Sequence, residues 1–248
     1  MKKKYLFSFV IMTAMVIVTL AGCASLVDIL FNTGSQSGTQ NLSGAQPRLA
    51  NGDAYLRRAA THDENGRYDL AIEDINEALR LGFNSTEPWM VYYGRGLVYG
   101  KKGDYDSEIK DYNEAIRLGP NVANLRGDLA LYVADIFGDR ARAYREKGDY
   151  DSAIKDYNEA IRLAPNVATF WNSRAWIYAY YMKTNFDQAL ADVNQALRFA
   201  PNNASYLDTR GWVYLGMGDY EKARADFNRA LQINPNMSSS REGLSIIR

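Results

Sequence analysis

The chain has little cysteine and little histidine, and this limits the chemistry open to it. Its 248 residues include one cysteine, Cys23, and one histidine, His62. Disulfides within the chain and thiolate zinc clusters are excluded, because each needs at least two cysteines. The sequence also lacks a nucleophile elbow, a phosphate-binding loop and any metal-ligand spacing. We therefore predict that the protein is not an enzyme, with no catalytic residues, no cofactor and no metal site.

An excess of basic residues is missing as well. Lysine and arginine together number 29, and aspartate and glutamate also number 29. Domains that bind nucleic acid usually carry a clear basic excess. We therefore expect no nucleic-acid partner.

What the sequence does contain is internal repetition. Residues 103–123 recur as residues 148–168 with two changes, Glu108 against Ala153 and Gly119 against Ala164. Aligning all related stretches on their Gly-Asp-Tyr turns gives five units with an underlying period of 34 residues: 52–85, 89–122, 134–167, 168–203 and 204–237. A period between 20 and 50 residues indicates supersecondary units that stack on one another.

The units share a pattern of residue types. Position 8 of each unit holds a small residue, and position 4 of most units holds an aromatic one. The small residues are Ala59, Gly96, Ala141, Ala175 and Gly211, and the aromatics are Tyr55, Tyr92, Phe137 and Trp171. With alanine at positions 20 and 27, this pattern resembles the tetratricopeptide repeat. The resemblance implies an all-α fold, an α-solenoid of antiparallel helix pairs within residues 51–248, closed by a short capping helix at 238–248.

Four positions depart from the family pattern: His62, Phe83, Glu108 and Leu207. His62 stands where the repeat has a packing tyrosine, so we interpret it as a packing residue. Glu108 stands where the near copy has Ala153, in a slot for a small residue. A buried carboxylate is costly unless paired. We expect the neighbouring insertion to let Glu108 reach water or an arginine.

Two insertions interrupt the period. Residues 123–133 precede the third repeat, and they predict either an extended first helix or a short extra helix. The fourth repeat has two additional residues in its turn, near Tyr181 to Asn185.

The N-terminus has the character of a secretory signal. Residues 1–22 join a short basic start to an apolar run that ends in Leu20-Ala21-Gly22-Cys23. These four residues resemble a bacterial lipobox, which implies cleavage before Cys23 and acylation of Cys23. An uncleaved membrane anchor is the alternative, since the run is just long enough to span a bilayer. The composition of residues 23–50 then predicts a flexible tether. The lipobox resemblance implies a location in the cell envelope, at the outer membrane rather than the inner one.

Every repeat carries arginine at position 7 and aspartate at position 23. On antiparallel helices these positions lie at the same height, so we predict a ladder of ion pairs; an arginine row that binds anions is the functional alternative. The arginines are Arg58, Arg95, Arg140, Arg174 and Arg210, and the aspartates are Asp74, Asp111, Asp156, Asp192 and Asp226.

The resemblance also implies that a protein partner binds the concave face formed by the first helices. The candidate partner-binding residues are Tyr93, Arg142, Arg145, Asn172, Trp176, Asp208 and Trp212. Aromatic residues and arginine are enriched at binding hot spots. Packing between repeats is the alternative role for each aromatic. The sequence does not identify the partner or the oligomeric state.

The function that these features favour is a scaffold or adaptor, anchored in the bacterial envelope, that binds another protein. The alternative is an accessory of a solute transport system, which would dock a solute-binding protein or pass a small ligand through an enclosed pocket.

Overall fold

The computed structural model describes residues 52 to 247, and the regular structure within that range is helical. The predicted signal, Cys23 and the tether lie outside the described residues. No helix within residues 52–247 combines the length and the apolar character needed to cross a bilayer.

The described residues form two compact units, which divide in the sequence between Leu129 and Ala130. Unit 1 contains two helix pairs followed by a 3-10 turn: α1 (Gly52–Glu64), α2 (Tyr68–Leu81), α3 (Pro88–Lys102), α4 (Tyr105–Leu118) and the turn Val122–Asn124. The helices of each pair pack against one another, and α2 also packs against α3.

Unit 2 contains three helix pairs and a final helix. Its elements are α5 (Asp128–Glu146, whose first two residues belong to unit 1), α6 (Tyr150–Leu163), α7 (Ala168–Trp176), a π-helical segment (Ile177–Met182), α8 (Phe186–Phe199), α9 (Ala204–Met217), α10 (Tyr220–Ile233) and α11 (Ser238–Ile246). The predicted fold class, an all-α repeat solenoid of antiparallel helix pairs with a capping helix, is confirmed.

The Gly-Asp-Tyr motif forms the turn within a helix pair. Gly103 ends α3 in the left-handed region, with φ of 80°, where a side chain would be strained. The next residue, Asp104, accepts a hydrogen bond from the backbone N–H of Ser107 at 3.2 Å and thus caps the start of α4. Gly148 and Asp149 repeat this arrangement before α6.

Small residues at position 8 make room for a ring on the facing helix. A Cβ placed on Gly96 would lie 2.5 Å from the ring of Tyr112, and one placed on Gly211 would lie 2.5 Å from the ring of Phe227. Both rings are fully buried. The repeat pattern of a small residue facing a large one is therefore a packing rule, because interiors leave little space for extra atoms.

The 123–133 insertion is absorbed partly by helix and partly by turn. Gly127 takes a left-handed conformation with φ of 64°, and α5 begins at the following residue, Asp128. The first helix of the third repeat is therefore longer than its counterparts at its N-terminal end, and the 3-10 turn precedes it.

The two additional residues of the fourth repeat are absorbed by the π-helical segment and by two left-handed residues, Lys183 and Asn185. Arg174 and Asp192 still meet, although 18 positions separate them instead of the 16 in the other repeats. The wider π turn takes up the length and keeps the ion pair at the same height.

Of the two expected partners of Glu108, water or an arginine, bulk water is excluded. The Glu108 side chain is 0% exposed, and its Oε1 accepts a hydrogen bond from the hydroxyl of Tyr112 at 3.1 Å. Gly100 on the facing helix supplies the space, since a Cβ there would lie 2.5 Å from the same oxygen. The glycine on one helix thus accommodates the larger residue on the other.

Candidate partner-binding face

The structure forms an arginine–aspartate pair in every repeat. In each pair the guanidinium Nε donates to Oδ2 of the aspartate at 2.6 or 2.7 Å, and Nη2 donates to Oδ1. The pairs are Arg58–Asp74, Arg95–Asp111, Arg140–Asp156, Arg174–Asp192 and Arg210–Asp226. Bidentate, charge-assisted hydrogen bonds of this kind are stronger than hydrogen bonds between neutral groups.

Three of these arginines also reach the preceding repeat. Nη1 of Arg95 donates to Asn76, Nη1 of Arg174 donates to Asn158, and Nη1 of Arg210 donates to Asn194 at 3.3 Å. One guanidinium therefore joins the two helices of its own repeat to the second helix of the repeat before it. The arginine row therefore forms structural ion pairs within the fold. Because the aspartates already accept from Nε and Nη2 of each arginine, these donors are not available to bind a free anion.

Two predicted partner-binding residues turn out to be engaged inside the protein. Tyr93 is 5% exposed and packs against Tyr112 in the core of unit 1, with ring centroids 5.7 Å apart. Asp208 is buried and accepts hydrogen bonds from the hydroxyls of Ser239 and Ser240 on α11. Burial raises the pKa of Asp208, and the two seryl bonds oppose that rise. These two assignments to a binding surface are wrong, because the side chains fill the core and fasten the capping helix.

The two tryptophans differ in their surroundings. Trp212 is 8% exposed and packs edge-on against Phe227, so it belongs to the core of unit 2. Trp176 is half-buried and lies at the edge of that core, stacked on Tyr180 with centroids 4.4 Å apart. For Trp212, packing is the role that the structure supports; Trp176 still offers a surface.

Sequence reasoning missed two tyrosines of the π-helical segment. Tyr180 lies between the rings of Trp176 and Trp212 and contacts both. Tyr181 is 38% exposed and stacks on Tyr150 at 4.9 Å. The two-residue insertion signalled that this turn is unusual, but its sequence did not reveal that Tyr180 would contact Trp176 and Trp212, or that Tyr181 would stack on Tyr150.

The remaining candidates lie on α5 and α7. Asn172 precedes Trp176 by four residues and Arg142 precedes Arg145 by three, so each pair shares one side of its helix. At the C-terminal end of α5, Nη2 of Arg145 donates a hydrogen bond to the carboxylate of the adjacent Glu146. We call the surface made by Arg142, Arg145, Asn172, Trp176, Tyr180 and Tyr181 the aromatic–arginine face.

Several polar atoms on or beneath this face lack a hydrogen-bond partner. Within residues 52–247, Nε of Arg145, Oδ1 of Asn172 and Nε1 of Trp212 are buried, and no contact satisfies them. Buried polar atoms nearly always have partners in folded proteins.

A carboxylate on the same helix is also unusual. Burial, and then repulsion from Asp139, raise the pKa of Asp135 from 3.8 to about 7. Asp135 lies seven residues, about two helical turns, before Arg142 along α5. Helix α5 therefore carries both an acid with a raised pKa and the two arginines of the aromatic–arginine face.

Known proteins with the same fold were found by comparing structures. One solved relative, YrrB, described as a tetratricopeptide-repeat protein with an unusual peptide-binding site, superposes with a TM-score of 0.61 at 19% identity, over 77% of this chain and 90% of its own. A tetratricopeptide-repeat protein from Parabacteroides merdae gives a TM-score of 0.66 at 17% identity, over 79% of this chain and 72% of its own. The MamA protein gives a TM-score of 0.61 at 17% identity, over 74% of this chain and 92% of its own.

Comparison of the sequence with models of protein families identifies the same repeat as the structural comparison. No curated protein matches the chain in sequence. Models of the tetratricopeptide repeat match residues 56–123, 141–179 and 177–247. These three segments together take in most of the described residues and fall on the helix pairs of both units, so the chain is a tetratricopeptide-repeat protein.

Proposed function

We propose that the protein is a non-catalytic interaction scaffold that binds a segment of another protein on the aromatic–arginine face of unit 2. The observation that carries the proposal is the half-buried Trp176 at the edge of the unit 2 core, where it stacks on Tyr180 with ring centroids 4.4 Å apart. An apolar side chain of a bound segment would cover these rings. Removing apolar surface from water favours association.

The half-exposed rings support the same proposal. Trp176 and Tyr181 contact each other edge-on, with centroids 6.4 Å apart, and each keeps part of its surface open to solvent. Tryptophan, tyrosine and arginine dominate binding energy at protein interfaces. The peptide-binding site named for the structural relative YrrB is compatible with this function, although the identity between the two chains is only 19%.

Photo-crosslinking in the native cell tests this proposal. A photoreactive amino acid replaces Trp176 in the full-length chain, and the matched control replaces Arg198, which is exposed on α8. We expect a discrete protein adduct from position 176 and none from position 198. Equal adducts from both positions, or none from either, would contradict the assignment of the face.

We further propose that the protein is held at a bacterial envelope membrane by acyl chains on Cys23, at the outer membrane rather than the inner one. The support is the lipobox-like sequence Leu20-Ala21-Gly22-Cys23, which lies outside the described residues. Stable anchoring requires more than one acyl chain. Metabolic labelling with a fatty-acid analogue should mark the wild type and leave Cys23→Ser unlabelled and released from membranes; an equally labelled variant would exclude this anchor.

The alternative, an accessory of solute transport, would need an enclosed ligand pocket, whereas the groove lined by Asn194, Arg198 and Arg210 is open to solvent.

A further inference from the structure

We infer that a groove between α8 of the fourth repeat and α9 of the fifth binds a small aromatic carboxylate whose ring carries an N–H group, such as an indole carboxylate. The groove has a volume of about 500 Å³, within the range of small-molecule sites. Gln195 and Arg198 line it from α8, Pro201 from the following turn, and Leu207 and Arg210 from α9. None of its lining residues belongs to the aromatic–arginine face, so the site is separate from the proposed partner-binding function.

The groove lies at the one repeat that lacks an aromatic ring at position 4. In the other repeats this ring lies against the ladder arginine three residues later, with 5.1 to 5.4 Å between the guanidinium carbon and the ring centroid. These pairs are Tyr55–Arg58, Tyr92–Arg95, Phe137–Arg140 and Trp171–Arg174. The fifth repeat has Leu207 at position 4 and therefore no ring there for Arg210. Because a guanidinium is attracted to the face of an aromatic ring, this place favours a ring that a ligand supplies.

Arg140 shows that one ladder arginine accepts two rings. Phe137 lies 5.4 Å from its guanidinium and Tyr144 lies 5.9 Å from it. Arg210 has the second of these contacts, with Tyr214 at 5.9 Å, and has Leu207 where the first would be. The Arg210 side chain is 26% exposed, whereas that of Arg140 is 15% exposed. A ligand ring beside Leu207 would therefore cover surface of Arg210 that a ring covers at Arg140.

The two neighbouring junctions between repeats indicate that the ring should carry a hydrogen-bond donor. In both, the side chain six positions after the proline of a repeat donates to the carbonyl of that proline. The pairs are Trp171–Pro165, at 2.8 Å, and Arg241–Pro235. Leu207 stands six positions after Pro201, and its side chain has no donor. The carbonyl of Pro201 does not receive this bond, and the N–H of an indole would supply it.

The groove also differs from the preceding junction in charge. In the third repeat, Arg162 pairs with the carboxylate of Glu159. The fourth repeat has Gln195 in place of that glutamate, so Arg198 donates to a neutral amide, and no carboxylate of residues 52–247 pairs with it. A carboxylate on the ligand would supply the opposite charge. One small molecule would thus provide both groups that the preceding junction has, the indole of Trp171 and the carboxylate of Glu159.

A ligand-observed NMR titration of the full-length chain with indole-3-acetate tests the inference. Related probes each lack one group: 1-methylindole-3-acetate lacks the N–H, indole-3-acetamide lacks the charge, and acetate lacks the ring. We expect saturable binding of indole-3-acetate and none of acetate at the same concentration. Loss of the N–H should weaken binding about three- to tenfold, as for one hydrogen bond. Loss of the charge should weaken it about two- to fivefold, as for an exposed ion pair.

Variants of the chain locate the binding. Leu207→Trp gives the fifth repeat the indole that the fourth has at Trp171, so it should fold with a melting temperature at or above that of wild type and lose binding of indole-3-acetate. Arg198→Gln should weaken binding of indole-3-acetate about two- to fivefold and leave binding of indole-3-acetamide unchanged. Arg162→Gln is the matched control, because its junction already contains Trp171, and it should change neither.

The outcomes are decisive for the groove alone. Absence of saturable binding by wild type, or undiminished binding by a folded Leu207→Trp, overturns the inference. If Leu207→Trp does not fold, equal binding by Arg198→Gln and Arg162→Gln overturns it instead. Tighter binding of a pentapeptide that ends in tryptophan than of indole-3-acetate would assign the groove to the end of a protein chain and overturn the small-molecule ligand. The aromatic–arginine face is tested separately, by crosslinking from position 176.

Discussion

The two near-identical copies, residues 103–123 and residues 148–168, show how one repeat sequence supports two different surroundings. Both copies form a Gly-Asp-Tyr turn and a helix of 14 residues, and both hold their ladder aspartate on a first-helix arginine. The differences lie beside the turn. The second repeat has Glu108 facing Gly100, and the third has Ala153 with Arg145 at the position equivalent to Gly100.

The position of the charged group decides what the two repeats can do. In the second repeat the ionisable group is Glu108 on the second helix, which is fully buried and accepts a hydrogen bond from Tyr112. In the third repeat it is on the first helix, partly exposed, and incompletely satisfied. The turn and the ladder thus maintain the fold, while the residues flanking the turn vary and leave a partly exposed arginine in one repeat only of these two.

The largest effect is expected from removing the ladder aspartate that both copies share. Asp111→Ala and Asp156→Ala each leave a partly buried arginine, Arg95 or Arg140, without its carboxylate. Each variant should lose about 3 to 5 kcal/mol of unfolding free energy, because a buried charge stripped of its partner is strongly destabilising. Urea unfolding of both variants checks this, and a loss below about 1 kcal/mol in either would show that the ladder is incidental to stability.

The next largest effect is a pH dependence of stability that the first helix of the third repeat should cause and that of the second repeat should not. Asp135 has a folded-state pKa of about 7 against an ordinary value of 3.8, whereas the second repeat has Met90 at the equivalent position. Because the folded state holds the proton more tightly, stability should fall as the pH rises from about 4 to about 7. Asp135→Asn should remove this fall and raise stability at pH 8 by a few kcal/mol, on the order of 1.4 kcal/mol per pKa unit.

Urea titrations at pH 5 and pH 8 measure the pH effect. Met90→Ala is the matched control and should change stability equally at both values. A wild-type protein that is as stable relative to Asp135→Asn at pH 8 as at pH 5 would contradict the burial of this acid.

A smaller effect makes the second repeat resemble the third. Gly100→Ala places a Cβ within 2.5 Å of Oε1 of the buried Glu108. Overpacking of this kind costs about 1 to 3 kcal/mol. In a Glu108→Ala background the same change should cost nothing or stabilise, because alanine favours helix over glycine by about 1 kcal/mol. If Gly100→Ala costs the same in both backgrounds, the two residues are not matched to each other.

The smallest effect concerns a feature that both copies have on their surfaces. Arg117 pairs with Glu114, and Arg162 pairs with Glu159, each three residues apart on an exposed helix face. Arg117→Ala and Arg162→Ala should leave the melting temperature unchanged within error, since exposed pairs contribute little. A clear drop in either copy would contradict the exposure of that pair.

The fold and the ladder were predictable because both repeat with the sequence. Position 8 and the arginines at position 7 recur in every unit, so their packing and pairing follow from one helix pair. The roles of Glu108 and Asp208 were not predictable from the repeat pattern. Each depends on a contact that occurs in one repeat only: Gly100 makes room for Glu108, and the serines of α11 bind Asp208. The tyrosines of the π-helical segment were missed for a related reason, since a two-residue insertion does not reveal which turn absorbs it.

Hydrogen–deuterium exchange of the full-length chain, with and without a peptide selected on it, tests the central claim most directly. The claim is that unit 2 binds its partner on the aromatic–arginine face. We predict slower exchange in the C-terminal turn of α5 and in residues 177–185, with α6 and α8 unchanged. Protection confined to α6 and α8, or no protection while the peptide is bound, would contradict the account.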